Sequence, residues 1–455
     1  MNGSFFGDML QTIAERGRAL LDRTRPARPG AARQSDTLIE LCEALLSGRG
    51  EASGVALARE ILATYAALTT GPRIAFFEAL ASRFGPDRTR LHAAVGRWQK
   101  DETEETIAEI HHAAEPRRQE LFRRLNLAPG GTAALVRMRE QLLDAMDHRD
   151  DLRVVDADFV HLFSSWFNRG FLVLRRIDWS TPANILEKII KHEAVHKIRS
   201  WDDLRRRIDP PDRRCYAFFH PALVDEPLIF VEVALTREIA DSIAPILTAQ
   251  REGLDPEKAT TAVFYSISNC QRGLAGVTFG HFLIKQVVEE VSRDMPRLSR
   301  FVTLSPAPNF AEWLRRERNA EKSLALSNED RALLENLDIE GWWQHPDFSE
   351  PVREPLMRAA AYYFLRAKTP RGTPVDAVAR FHLGNGARLE QIDFLGDGSE
   401  KGIRQSHGIM VNYLYDLDYI EQNHEAYAQH RSIAASGSVK RMVRSAPVEL
   451  VPVSG

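Results

Sequence analysis

Cysteine is scarce in this chain of 455 residues: there are three, Cys42, Cys215 and Cys270, in no paired spacing. An odd and unpaired set of this size excludes a disulfide framework and a multi-cysteine zinc site, and it suits a reducing compartment. A charge of one sign is lacking too, since 60 Lys and Arg face 63 Asp and Glu for a formal net charge of −3. Overall electrostatics therefore give no ground for a nucleic acid or an anionic membrane as partner. No stretch reaches about 18 uncharged apolar residues, so no membrane span is expected. The apolar residues of Met1 to Leu21 are interrupted by Glu15, Arg16 and Arg18. That segment reads as a short amphipathic helix rather than a secretory signal, and the final residues carry no sorting address. Cytoplasm is the expected location.

What is present is a globular composition, 44% hydrophobic and 27% charged, at a length that predicts two or three domains. After an Arg- and Pro-bearing stretch, Arg23 to Gln34, which reads as a mobile connector, Leu38, Leu41, Leu45 and Leu46 recur at helical spacing. So do Leu57, Ile61, Leu62, Tyr65 and Leu68, then Phe76, Phe77, Leu80 and Phe84. Gly71-Pro72, Gly85-Pro86 and Pro129-Gly130-Gly131 fall between these patterns as connectors. Residues 1–168 are therefore read as an all-helical bundle. Beyond them the texture changes to short runs rich in β-branched and aromatic residues: Cys215 to Phe219, Leu228 to Thr236, Ala262 to Ser268, Phe301 to Leu304 and Ala379 to Leu383. These read as strands, alternating with helices over Val277 to Val291 and Pro355 to Leu365, which makes the chain α+β. From about residue 432 the composition predicts a poorly ordered tail.

Two motifs compete for the chemistry. His192-Glu193-Ala194-Val195-His196 fits the pattern in which two histidines one helical turn apart hold zinc. Here the histidines continue the apolar stripe of Ile185 and Ile189, Lys191 and Lys197 flank them, and no third ligand stands nearby; the segment is read as an ordinary helix turn, with no metal. The second is Asn269-Cys270-Gln271-Arg272-Gly273-Leu274-Ala275-Gly276, set between the expected strand Ala262 to Ser268 and the expected helix beyond it. A strand, a glycine-bearing loop and a helix N-terminus present backbone N–H groups to a pyrophosphate. An empty βα turn is the plainer alternative.

The strand, loop and helix resemble the acyl-CoA-binding motif of the GNAT superfamily. Gly273 and Ala275 match it, while Cys270 stands where Gln or Arg is usual. More specifically, Tyr265-Ser266-Ile267-Ser268, Gly273 to Lys285, Leu304-Ser305-Pro306-Ala307-Pro308-Asn309-Phe310 with Trp313-Leu314, Phe381-His382-Leu383-Gly384-Asn385-Gly386-Ala387, and Gly402 to Tyr415 resemble malonyl-CoA decarboxylase. The resemblance runs from about Trp179 to Tyr415. It implies an N-terminal helical domain (1–168, for oligomerisation) ahead of a GNAT-like catalytic domain (169–455). It also implies malonyl-CoA as substrate, acetyl-CoA as product, a place in fatty acid metabolism, a homo-oligomer (dimer or tetramer), and no cofactor.

By the same resemblance Ser305 and His382 are the catalytic residues, Ser305 on the reacting malonyl group and His382 as proton donor. Ser266 and Tyr415 line the pocket, and Ala275, Gly276, Val277, Thr278, Phe279, Gly280 and His281 cradle the CoA. Some members carry an acid where Thr278 stands, so no carboxylate role transfers there. Three other readings are open: a CoA-dependent acyltransferase using Glu232 as base, a non-catalytic CoA-binding protein, and a zinc hydrolase on His192 and His196. Glu232 itself reads more simply as a carboxylate on an exposed strand face or paired with an arginine.

Overall fold

The computed structural model describes residues 31–47, 50–277 and 283–444. The amphipathic segment expected at Met1 to Leu21 lies outside them. Of the expected connector, residues 31–34 are helical, since the first helix is Ala31–Leu46.

The chain divides into two compact units. The first holds residues 1–172 together with 220–224 and 271–279. Its helices are Ala31–Leu46, Glu51–Ala66, Thr70–Ser82, Arg88–Trp98, Glu104–Ala114, Arg117–Asn126, Gly131–Ala145 and Arg153–Trp166. Their helical spacing brings apolar side chains to one core: Phe76, Phe77, Leu80 and Phe84 are buried, and the rings of Phe122 and Phe159 stack 4.1 Å apart. The breaks fall where local chemistry demands them. Asp87, after Gly85-Pro86, caps the helix Arg88–Trp98 by accepting the N–H of Arg90 at 3.1 Å. Arg118 is buried within this unit against Asp158, whose other oxygen accepts from Gln119 at 2.5 Å. A charge taken from water survives there because the pair is fully hydrogen-bonded.

The second unit contains one mixed sheet in the order β1-β2-β3-β4-β5-β8-β6, with β7 paired to β8. The strands are β1 (Val173–Ile177), β2 (Arg213–Phe219), β3 (Pro227–Thr236), β4 (Thr261–Asn269), β5 (Arg300–Thr303), β6 (Ser305–Pro306), β7 (Arg388–Asp393) and β8 (Met410–Leu414). The strand texture of four of the five expected runs is therefore realised. Ile185, Leu186 and Ile189 of the helix Ala183–His192, with Leu204 and Ile208 of the helix Trp201–Ile208, pack on Cys215, Ala217, Phe219 and Phe230. Neighbours are antiparallel except β4 and β5, which run parallel for four pairs, Thr261↔Arg300 to Phe264↔Thr303. The N–H of Leu304 still reaches the carbonyl of Phe264 at 2.9 Å, and then the strands part. β4 continues along β3 to Asn269, while Ser305 turns to pair with Val411 of β8. This order, with a parallel pair that opens half-way, makes a mixed sheet, and with the helical first unit it bears out the α+β class. No helix among the described residues is long and apolar enough to cross a membrane.

Two expectations fail here. The run Ala379 to Leu383 is not a strand but lies in the helix Ala377–Gly384. Its β-branched and aromatic content is overruled by a cap: buried Asp376 accepts the N–H of Ala379 at 2.7 Å and opens the helix. Nor is the chain loose from residue 432. Leu389 of β7 donates to the carbonyl of Ala434 and accepts from the N–H of Ser436, both at 2.9 Å, and Val439 of the helix Gly437–Arg444 is buried. Few apolar side chains suffice when the backbone itself is held by a strand. Residues 445–455 lie outside the described ones.

Candidate active site

Three residues that the sequence assigns to catalysis or binding meet in the second unit. Ser305 opens β6, where β4 and β5 have parted. Its Oγ lies 3.1 Å from Nε2 of His382, and Nδ1 of that ring lies 2.8 Å from the hydroxyl of Tyr415. Thr303, two residues before Ser305, accepts a hydrogen bond from Ser305 Oγ at 2.9 Å and another from the N–H of Tyr413 at 3.3 Å. Tyr413, two residues before Tyr415, stacks its ring on the imidazole at 4.6 Å and 22°. Strand alternation explains both additions, because residues i and i+2 share a face. That spacing is the signal by which Thr303 and Tyr413, unassigned from sequence, were accessible.

Burial sets the protonation state. His382 is 2% exposed and its pKa is pushed down to about 3 by loss of solvent. It is therefore a neutral imidazole across the physiological range, not the near-neutral titrating donor that its unperturbed value suggests. Burial holds the Tyr415 phenol well above its usual value, so it keeps its proton. The one hydrogen-bond partner of that hydroxyl among the described residues is His382 Nδ1. If Nδ1 carried the imidazole proton, the buried phenol proton would have no acceptor. The arrangement that satisfies every group runs in one direction: Tyr415 O–H to Nδ1, Nε2–H to Ser305 Oγ, and Ser305 O–H to Thr303.

Ser266 sits elsewhere in the hydrogen bonding. Its hydroxyl donates to the carboxylate of Glu193, at 2.7 Å to one oxygen and 2.9 Å to the other. The zinc pattern dissolves at the same place. The helix Ala183–His192 ends at His192, and Glu193 is extended, so His192 and His196 are not one helical turn apart. No group of three His, Cys, Asp or Glu residues suited to a metal occurs among the described residues.

Glu232 is fully buried and accepts a hydrogen bond from Nη1 of Arg207 at 3.2 Å, so it lies on no exposed face. Burial, and after it the neighbouring Glu193, push its carboxyl up to about 8. The folded chain then holds a proton that the unfolded chain has released above pH 4.5, and the stability this gives is lost as pH rises towards 8. Glu232→Gln is expected to gain in stability on the wild type as pH rises from 5.5 to 7.5, because only the wild type loses this contribution. Urea unfolding at both pH values checks this; parallel curves would show that Glu232 ionises normally.

The loop assigned to CoA begins with a 3-10 turn, Arg272–Leu274, followed by a turn in which Gly276 takes φ +75°. Gly273 packs on the helix Gly131–Ala145 of its own unit, where a Cβ would stand 2.0 Å from the carbonyl oxygen of Val136. Its own carbonyl accepts from Nη1 of Arg139 at 2.8 Å. Its missing side chain is thus accounted for by packing. Val277, the expected helix start, is not helical, and the next described helix is Leu283–Asp294. Thr278, Phe279, Gly280 and His281 lie outside the described residues. Cys270 is buried beside Cys215 in the core under β2 and β3, and burial pushes its thiol up.

Comparison with known proteins matches two family models, the malonyl-CoA decarboxylase N-terminal domain over residues 84–167 and the C-terminal domain over residues 170–451. A goose (Anser anser anser) protein named malonyl-CoA decarboxylase, mitochondrial, is 36% identical over 84% of this chain and 82% of its own length. The chain belongs to the malonyl-CoA decarboxylase family. A solved malonyl-CoA decarboxylase from Rhodopseudomonas palustris is 58% identical, with a TM-score of 0.88 over 91% of this chain and all of that one. Another, from Cupriavidus metallidurans, is 34% identical with a TM-score of 0.68, covering 90% of this chain and 99% of that one. A rat relative, also named mitochondrial, is 35% identical over 73% of this chain and 72% of its own length.

Proposed function

We propose that the protein converts malonyl-CoA to acetyl-CoA and carbon dioxide, with Ser305 binding the reacting malonyl group and His382 returning the proton. The observation that carries the residue assignment is the directed chain from Tyr415 through His382 to Ser305. In the reaction the bond from the carboxylate to C2 breaks, its electron pair becomes a thioester enolate, and C2 takes up one proton. The thioester carbonyl is itself the electron sink, so the chemistry asks the protein for orientation, a hydrogen bond to the developing oxyanion, and a proton.

His382 is neutral in the free protein. A malonyl carboxylate, and then an enolate, beside its ring favour the imidazolium. The proton is thus taken up with the anion and delivered to C2 from Nε2, so that one proton is consumed per turnover. Tyr415 acts on the imidazole through Nδ1, where the sequence had it touching substrate.

The assignment of Ala275, Gly276 and Val277, and of residues 278–281 beyond them, to the CoA moiety rests on the family resemblance and is part of this proposal. So are a cytoplasmic location, which the bacterial structural relatives favour although the curated relatives are named mitochondrial, and a homo-oligomer, which rests on the family resemblance alone. The acyltransferase reading loses support because its candidate base, Glu232, is buried against Arg207. Incubation with malonyl-CoA and no acceptor is the test: acetyl-CoA and carbon dioxide in equal amounts are expected, and turnover only in the presence of an amine would overturn the proposal.

A further inference from the structure

The chain carries a formal net charge of only −3, yet the second unit gathers positive charge around one cavity. Its volume is about 440 Å³, and Arg366, Lys368, Arg431 and Lys440 line it with no carboxylate among the lining residues. The rest of the lining is aliphatic, Ile433 and Val443 included. Among the described residues none of the four cations is ion-paired. Elsewhere the same surface does pair its charges: Arg358, on the helix Pro346–Leu365 whose last residue borders the cavity, bridges Asp330 and Glu354. Like charges gathered without a counter-ion repel one another. Burial, and after it the Arg366 guanidinium, hold the Lys368 ammonium below its usual value.

Three segments bring the cations together, each fixed by its own backbone. Arg366 and Lys368 follow the helix Pro346–Leu365, and Lys368 forms a β-bridge with Pro374. Arg431 follows the helix Ile420–His430 in the left-handed conformation, at φ +54°, a position that glycine usually fills. The N–H of Ser432 closes that helix on the carbonyl of Ala426 at 3.2 Å, and the Arg431 guanidinium lies 5.9 Å from the centre of the Tyr427 ring. Lys440 and Val443 stand three residues apart on one face of the helix Gly437–Arg444. That helix is tied to β7 through Ser436, whose hydroxyl donates to the carbonyl of Glu390 at 2.7 Å. The backbone of the cavity is thus in place before a ligand arrives, and only side chains remain to be ordered on binding.

The lining also selects the ligand. Four positive charges exceed what one carboxylate neutralises, so the complement carries at least two negative charges. Guanidinium forks match the oxygens of a phosphate, and the aliphatic wall suits an apolar group beside it. A concave site of this volume fits a small molecule, not a duplex or a lipid surface. We propose that this cavity binds an organic phosphate of two or more negative charges, at a site separate from the chain of Tyr415, His382 and Ser305. It shares no residue with that chain or with the loop assigned to CoA, and it does not depend on the malonyl-CoA reading.

CoA is itself an organic phosphate, so the test is run with CoA at saturation. Calorimetric titration of the full chain with ADP should then show one further molecule bound per chain. Its Kd should weaken about tenfold in Lys440→Gln and in Arg431→Gly, each of which removes one charged contact, while the Kd for CoA is unchanged in both. Glycine at 431 suits the left-handed backbone, so that variant keeps its fold. Hexanoate, with an apolar chain but a single carboxylate, should bind at least about tenfold more weakly than ADP. No binding of ADP in the presence of CoA, a Kd for CoA that weakens along with that for ADP, wild-type affinity in both variants, or hexanoate bound as tightly as ADP would each overturn the proposal.

Discussion

His382→Asn is expected to lower kcat for malonyl-CoA by about 10²–10⁴, the range for removing a positioned proton donor, while the fold persists. Asparagine occupies the space of the ring closely enough to keep the helix Ala377–Gly384, whose cap at Asp376 and whose C-terminal bonds from Asn385 and Gly386 do not involve the imidazole. It cannot relay a proton between Tyr415 and Ser305. Because burial pushes the imidazole in the free protein down to about 3, the wild-type kcat/KM should also show no acid limb centred near pH 6.5. A pH profile and a thermal melt of the variant check both points. Turnover within tenfold of wild type would remove His382 from the mechanism.

Gly273→Ala is expected to destabilise the protein by about 3 kcal/mol or more, the upper range for forcing a methyl group into a packed interior. A Cβ there would stand 2.0 Å from the oxygen of Val136 and 2.8 Å from its carbonyl carbon, both backbone atoms that cannot rotate away. The loss should be the same with and without CoA if packing is the whole reason for the glycine. Denaturant midpoints measured both ways separate this from a ligand-contact role, which would show only in the presence of CoA. Gly276 gives the internal contrast: nothing lies within 4 Å of its missing Cβ, and only its φ of +75° resists a side chain.

These two positions also mark where sequence reasoning works and where it stops. Hydrophobic spacing places the helical half and four of the strands, because burial of a periodic face is a local property of the sequence. His382 was legible as a residue but not in its conformation. Val378-Ala379-Arg380-Phe381-His382-Leu383 has the composition of a strand, and the feature that makes it a helix is a buried aspartate two residues earlier, Asp376, whose capping role depends on tertiary enclosure. Its pKa was illegible for the same reason, since desolvation comes from residues distant in sequence. Glu193 was seen but given the wrong neighbours, because the zinc pattern presumes a helix continuing through His196, and this helix ends at His192. Gly273 was read for phosphate when the atom it makes room for belongs to a residue 137 positions earlier.

That last separation bears on how the protein is made. The first compact unit is not contiguous: after residue 172 it waits for residues 220–224 and then for the segment that begins at Gln271. Arg139 has Asp156 as partner at 2.8 Å, but its second acceptor and the residue that fills the groove at Val136 are missing until Gly273 has been synthesised. At about 5–20 residues per second, the roughly 135 residues between occupy a ribosome for about 7–27 s. During that interval the helix Gly131–Ala145 carries an arginine, buried in the finished protein, whose last acceptor does not yet exist.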